Sequence, residues 1–142
     1  MKKIFISLII TFFLLSIQIF AQNSAPVSQS NIIQINNTQI IVPDTLNIGN
    51  IQKGDQTYVQ FIIINNRKNS VTISNIITPP GCGAQINSTI LKPKSKTTLY
   101  VGFDTNWMSG VDSNFVYKII LKTNLIKDII IPIKGKIVNS QK

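Results

Sequence analysis

The sequence predicts an all-β fold, a two-layered antiparallel β-sandwich of about seven strands, and three observations support this. Short apolar runs are separated by turn residues about every 8–12 positions, which is the strand spacing of sandwiches. No segment repeats its apolar residues at the helical period of about 3.6. The later runs alternate apolar and polar residues, as strands do when one face of their sheet meets water.

The strands can be placed in order from these runs and from the turns between them. Residues 39–42 form a candidate first strand that Pro43 ends, and residues 46–51 precede a turn at residues 53–55. The remaining predicted strands cover residues 58–64, 71–77, a short extended piece at 86–91, 99–103, 115–121, 129–133 and a final segment at 136–138.

Alternation shows which faces of these strands are buried. Residues 99–103 and 115–121 each place their large apolar side chains on one face, and Lys118 marks the other face of the second run. Residues 61–64 and 129–131 are apolar on both faces, which predicts central strands. This set of strands predicts an immunoglobulin-like sandwich, without the Cys…Trp…Cys spacing of antibody domains.

The amino terminus has the three parts of a secretory signal peptide. Lys2 and Lys3 precede an apolar run over residues 4–20, and Ala21 supplies the small residue at a cleavage site. The alternative is a retained membrane anchor, since the run lies at the lower limit for spanning a bilayer. We expect cleavage, export to the periplasm or beyond it, and no membrane span in the mature chain.

Three regions follow from these assignments. Residues 1–21 form the signal peptide, residues 22–42 form a polar leader with the candidate first strand, and residues 43–142 form the sandwich domain. The mature length suits one ordinary domain with its own core.

The chain is basic, with 14 Lys and Arg residues against 5 acidic residues and a formal charge of +9. Lys92, Lys94 and Lys96 form the tightest basic group of the mature chain. Such a charge suits nucleic acid, an anionic membrane surface or an acidic polysaccharide, but sheet proteins also carry lysines on edges and turns, where they oppose aggregation. The spread of the charge favours the second interpretation, and we expect no nucleic-acid partner.

Few residues that commonly perform catalysis are available. The chain has no His, so the usual general base and the commonest zinc ligand are missing, and a Ser-His-Asp or Cys-His site cannot form. Asp104 and Asp112 could meet across a loop as a weak calcium site, although two Asp residues in a loop more often cap turns. We expect no enzyme activity, no cofactor and no metal site.

Cys82 is the single cysteine, which excludes an internal disulfide. It lies in the glycine- and proline-rich segment 79–83. Its thiol is either an exposed group that contacts or cross-links a partner, or a sulfur tucked into one end of the sandwich. We favour the second interpretation.

The loop with Trp107 and Met108 is the segment best suited to contact another molecule. Both side chains are costly to expose, and they lie in a polar stretch between two predicted strands. They form either a contact patch for protein or sugar, or a cap in which Trp107 folds back over the end of the core. We favour the cap.

Ordered motifs along the domain resemble those of a bacterial exported family, the domain-of-unknown-function family 1573. The motifs lie at residues 47–55, 61–66, 73–76, 81–83, 91–105, 109–110 and 131–137. The resemblance covers nearly all of the mature domain. It implies an immunoglobulin-like sandwich, related in architecture to sperm-protein-like and periplasmic-chaperone-like domains, and an exported setting, and it implies no activity.

Three positions depart from the pattern of that family. Ala84 stands where the second cysteine of a Cys-Gly-Cys motif belongs, so a paired-thiol or metal role does not carry over. Lys94 and Arg67 replace turn glycines, so those turns must adopt other conformations.

Two functional hypotheses remain. The first is a non-catalytic protein-interaction or structural module of the cell envelope, which binds through a sheet edge or through end loops. Its candidate contact residues are Cys82, Trp107 and Met108. The second is binding of an acidic glycan or envelope polymer through Lys92, Lys94 and Lys96, joined by Trp107 if the loops meet.

Overall fold

A computed structural model describes residues 31–139 as an all-β sandwich, with no α-helix in that range. The predicted signal peptide and residues 22–30 of the leader lie outside the described residues. Within them no helix is long and apolar enough to cross a membrane. The strands are β1 (Ile32–Ile35), β2 (Ile40–Ile41), β3 (Leu46–Gln52), β4 (Gln56–Asn65), β5 (Val71–Ile77), β6 (Cys82–Ile86), β7 (Ile90–Leu91), β8 (Lys96–Asp104), β9 (Ser113–Thr123) and β10 (Ile129–Val138).

The strands form two five-stranded sheets that pack face to face. The first sheet has the order β2-β1-β4-β8-β6, and the second has the order β3-β10-β9-β5-β7. Most neighbours are antiparallel, as the sequence predicts. The pairs β1–β4 and β3–β10 are parallel instead.

Alternate side chains from both sheets fill the space between them. In the first sheet Phe61, Leu99, Val101 and Phe103 are almost completely buried. The second sheet contributes Ile119 and a further set of isoleucines and leucines that face them. The two strands predicted to be central are central, because β4 lies between β1 and β8, and β10 lies between β3 and β9.

The structure departs from the predicted strands in three places. Strand β1 lies in the expected leader, yet Ile33 and Ile35 are fully buried and β1 pairs with β4, so β1 is part of the first sheet. Strand β6 starts at Cys82, where the Pro-Pro-Gly sequence predicts only a turn. The last two predicted segments form one continuous strand, β10, through Pro132 and Gly135.

Asn65 is a fully buried polar residue that joins three segments at one end of the sandwich. Its Nδ2 atom lies 3.0, 3.0 and 3.1 Å from the carbonyl oxygens of Asn69, Leu91 and Lys92. Its Oδ1 atom accepts a hydrogen bond from the backbone N–H of Arg67. One amide therefore holds both the β4–β5 turn and the β7–β8 turn.

Replacing Asn65 with Ala should lower the free energy of unfolding by about 2 kcal/mol, because the buried carbonyl group of Leu91 loses its donor and the bonds that hold the two turns together are lost. Urea denaturation followed by circular dichroism measures this. Asn66→Ala is the matched control, since among residues 31–139 the Asn66 side chain donates only to the half-buried Asn36 side chain. An equal loss in both variants would contradict the role assigned to Asn65.

Candidate functional site: a glycine-floored groove beside Trp107

An open groove of about 700 Å³ lies on the outer face of the first sheet, at the end where β8 finishes and where β4 and β6 begin. We call it the Trp107 groove. The residues that define it are Gln56, Tyr58, Gly83, Gly102, Asp104 and Trp107.

The floor of the Trp107 groove is a row of three residues that are directly paired across three strands. Gly102 of β8 pairs with Tyr58 of β4 on one side and with Gly83 of β6 on the other. The two glycines leave bare backbone on the outer face, and the half-exposed Tyr58 stands at the inner end of the row. The result is a trough that is open at the β6 edge.

The fold explains five of the seven glycines and leaves the two in this floor unexplained. Four others have positive φ angles, and a Cβ at Gly135 would collide with the Phe115 ring. Neither a positive φ angle nor a steric clash requires glycine at positions 83 and 102. A Cβ at Gly83 would meet nothing within 4 Å, and one at Gly102 would meet only a backbone oxygen at 4.0 Å. Glycine inside a strand costs about 0.5–1 kcal/mol relative to alanine.

Trp107 and Met108 have opposite environments, which corrects the favoured prediction for this loop. Trp107 is 77% exposed at the rim of the groove, whereas Met108 is 2% exposed and belongs to the core. Met108 packs closely against the backbone of Gly81, where any Cβ would collide with its side chain. Met108, and not Trp107, caps this end of the sandwich.

The loop that carries Trp107 is held by partly buried hydrogen bonds that the sequence did not predict. The Thr105 hydroxyl is fully buried, accepts from the N–H of Gly54, and lies 2.8 and 2.9 Å from two carbonyl oxygens of the β3–β4 turn. Lys53 Nζ donates to the carbonyl oxygens of Thr105 and Met108 at 2.7 and 2.8 Å. Trp107 is therefore presented on a fixed loop.

Asp104 caps the turn before Trp107, the common role of an Asp residue in a loop. One carboxylate oxygen accepts from the backbone and side chain of Asn106, and the other accepts from Gln56. The Asn106 backbone bond and the Gln56 bond lower the pKa of this carboxyl, so it is ionised at neutral pH. No group of three or more His, Cys, Asp or Glu residues is placed to bind a metal in residues 31–139.

Cys82 is a free, partly buried thiol at the start of β6 and packs against the core. Burial raises its pKa from 9.0 to about 11, so the sulfur is protonated and unreactive at neutral pH. Burial raises the pKa of Tyr117 in the second sheet as well, and the charge of a Cys82 thiolate adds to that rise. The two acidic groups are thus electrostatically coupled between the sheets.

The three lysines lie at the opposite end of the sandwich from Trp107. Lys92 and Lys94 are in the turn before β8 and Lys96 begins that strand, whereas Trp107 follows its end. A nine-residue strand separates these ends by about 26 Å. Lys94 also donates to the carbonyl oxygen of Asn66 at 2.6 Å. The structure does not combine the lysines and Trp107 into one site.

Strand β6 is the edge strand of the first sheet beside the groove, and every second residue directs its backbone N–H and C=O groups away from β8. The N–H of Asp104 donates to the carbonyl oxygen of Gly81, and the N–H of Asn87 donates to that of Thr98. Residues 81 and 87 are therefore in hydrogen-bonded pairs with β8, which fixes which residues between them face β8. Residues 83 and 85 therefore direct their N–H and C=O groups at β8. Ala84 and Ile86 direct theirs outward, and no strand of the described residues lies on that side.

The fold defines the class of this protein as an immunoglobulin-like β-sandwich. Residues 38–136 match the HYDIN/CFA65/VesB-like, Ig-like domain, and the chain belongs to this family. No curated protein matches the chain.

Two solved structures share the fold at low sequence identity. A protein of unknown function from Porphyromonas gingivalis W83 is 18% identical with a TM-score of 0.56, and the match covers 80% of this chain and 51% of that one. The secreted serine protease VesC from Vibrio cholerae is 10% identical with a TM-score of 0.51, and the match covers 68% of this chain and 22% of that one. The chain thus corresponds to about half of the first protein and about a fifth of the second.

Stability should fall as the pH rises from 9.0 to about 11, the interval between the ordinary and the folded pKa of Cys82. Below this interval the thiol is neutral in both states. Within it the unfolded chain ionises first, and this ionisation lowers the free energy of the unfolded state relative to the folded state, so the free energy of unfolding falls. Urea denaturation at a series of pH values measures the slope.

Cys82→Ala is the matched variant for this slope. It should flatten the profile over the same interval and lower the pKa of Tyr117, because the thiolate charge is removed. A wild-type profile with no slope, or a slope that Cys82→Ala leaves unchanged, would contradict the burial of this thiol.

Proposed function

We propose that this protein is an exported, non-catalytic interaction module that contacts a protein partner through the Trp107 groove and the adjoining edge of β6. The observation that carries the proposal is Trp107, a large aromatic side chain that is 77% exposed. Trp is among the residues enriched where a protein interface has most of its binding energy.

The support under Trp107 favours a contact role over a flexible surface loop. The Thr105 hydroxyl and Lys53 Nζ hold the loop through hydrogen bonds to backbone carbonyl oxygens. Met108, the residue after Trp107, is buried in the core and fixes the loop from the other side. Because the loop is ordered before binding, little conformational entropy is lost when a partner covers Trp107.

Sequence and comparisons support the exported, non-catalytic part of the proposal. The amino terminus has the pattern of a signal peptide, and VesC, which shares the fold, is a secreted protein. The resemblance to family 1573 agrees with an envelope setting. The chain has no His, and the groove residues offer contact surface and hydrogen-bonding groups rather than a nucleophile with its base.

The alternative, binding of an acidic glycan, would have to use Lys92, Lys94 and Lys96 without Trp107. Lys94 is already engaged with the Asn66 carbonyl oxygen, and the lysines form part of a turn organised by Asn65. No observation on this turn indicates a ligand, so we favour the Trp107 groove.

Site-specific photo-crosslinking in the native organism tests the proposal. A photoreactive amino acid at Trp107 should yield a discrete adduct with an envelope protein. The matched controls are the same substitution at Ile126 and at Val116, which are exposed apolar positions away from the groove, 102% and 66% exposed. Adducts common to all three positions, or none at Trp107, would contradict the proposal.

A further inference from the structure

The paired glycines of the groove floor point to an occupant. Gly83 and Gly102 lie side by side on adjacent strands, and neither their backbone angles nor their packing requires glycine. Glycine in a strand interior often marks a bulge, a tight bend, or a place where a ligand or another backbone comes close, and the register at Gly83 and Gly102 is regular, without a bulge. Any larger residue would fill the trough, so the space itself is what these glycines provide.

The trough opens onto a strand edge that can still form a ladder. Ala84 and Ile86 direct their N–H and C=O groups away from β8, toward the side of β6 where no described strand lies. Cys82 also directs these groups outward, but its N–H donates to the carbonyl oxygen of Pro79 and its carbonyl oxygen accepts from the Thr78 hydroxyl. The edge therefore offers two residues, with four backbone groups, to an added strand.

Strand β6 also lacks the features that protect sheet edges from pairing. Natural edges are kept short, bent or charged. The edge strands β2 and β7 have only two residues each, and β3 contains Gly49 with a positive φ of 77°. Strand β6 has five residues and carries no charge and no proline, although the chain contains 14 Lys and Arg residues.

We propose that an extended segment of a protein partner adds to β6 as a strand and lays a large aromatic side chain across Gly83 and Gly102. This inference rests on the proposed function and specifies the partner's chemistry.

The geometry of strand addition places that side chain over the floor. A residue of an antiparallel added strand opposite Gly83 occupies a non-hydrogen-bonded pair, with Cα atoms about 4.5 Å apart and its side chain on the same face. From there it extends over Gly83 and Gly102 toward Tyr58, and an aromatic ring gains contact with bare backbone and with a second aromatic ring. Trp107 closes one side of the trough.

Charge selects among such segments. Asp104 is the one charged residue that lines the groove in the described part of the chain, and its lowered pKa keeps it ionised. A segment with acidic residues beside the aromatic position is disfavoured by repulsion, and a neutral or basic segment is accepted.

Selection of random displayed peptides against the mature protein, followed by amide hydrogen exchange of the complex, tests the proposal. The selected peptides should contain an aromatic residue and few acidic ones. Binding should slow the exchange of the Ala84 and Ile86 amides by about tenfold or more, because they gain ladder hydrogen bonds. The Gly83 and Gln85 amides already face β8 and should change little.

Gly83→Thr is the decisive variant, since its side chain fills the trough and its Cβ meets no atom within 4 Å. It should keep the fold, as judged by thermal unfolding, and weaken peptide binding about tenfold or more, which corresponds to about 1.4 kcal/mol. Gln85→Thr adds the same residue at the next outward position of β6, outside the groove, and should retain binding.

Four results would overturn the inference. The first three are failure to select any peptide, peptide binding by Gly83→Thr that equals that of the wild type, and binding that leaves the Ala84 and Ile86 amides unprotected. The fourth is a sugar occupant: binding of cellohexaose or chitohexaose to the wild type that is lost in Gly83→Thr. A partner captured by crosslinking at Trp107 together with any of these results would leave the proposed function standing and remove only the strand-addition mode.

Discussion

Burial of alternate side chains between two sheets is the constraint on which the rest of this structure depends. Once Phe61, Leu99 and Val101 face the second sheet, the pleat places their strand neighbours on the outer face. Tyr58 and Gly102 lie outward for this reason, and the ladder between β8 and β6 brings Gly83 beside them. The groove is thus a consequence of register, and a shift by one residue would bury its floor.

The ends of the sandwich are organised by polar groups rather than by the apolar core. At one end the Asn65 amide holds two turns through backbone carbonyl groups. At the other, Thr105 and Lys53 hold the loop after β8 in the same way. These bonds lie in partly buried positions, where an unmade hydrogen bond is costly, so both ends keep a defined shape. Trp107 owes its exposed position to this support and to Met108, which fills the core beneath it.

Much of the fold follows from the sequence, because apolar alternation and turn residues report burial directly, as residues 99–103 and 115–121 show. Strand β1 was not predicted, because its polar surroundings resemble a leader and its partner β4 is distant in sequence. The sequence also does not show which of Trp107 and Met108 enters the core, since both are apolar and adjacent. The groove depends on the pairing of Gly83 with Gly102, a register that local sequence does not encode.

Gly83 and Gly102 provide the space of the groove and are not required by the fold. The free energies of unfolding of Gly102→Ala and Gly135→Ala, two sheet glycines without positive φ, test this claim most directly. Gly102→Ala should be unchanged or stabilised by up to about 1 kcal/mol. Gly135→Ala should lose about 1–3 kcal/mol, because its Cβ collides with Phe115. Equal destabilisation of the two variants would contradict the claim.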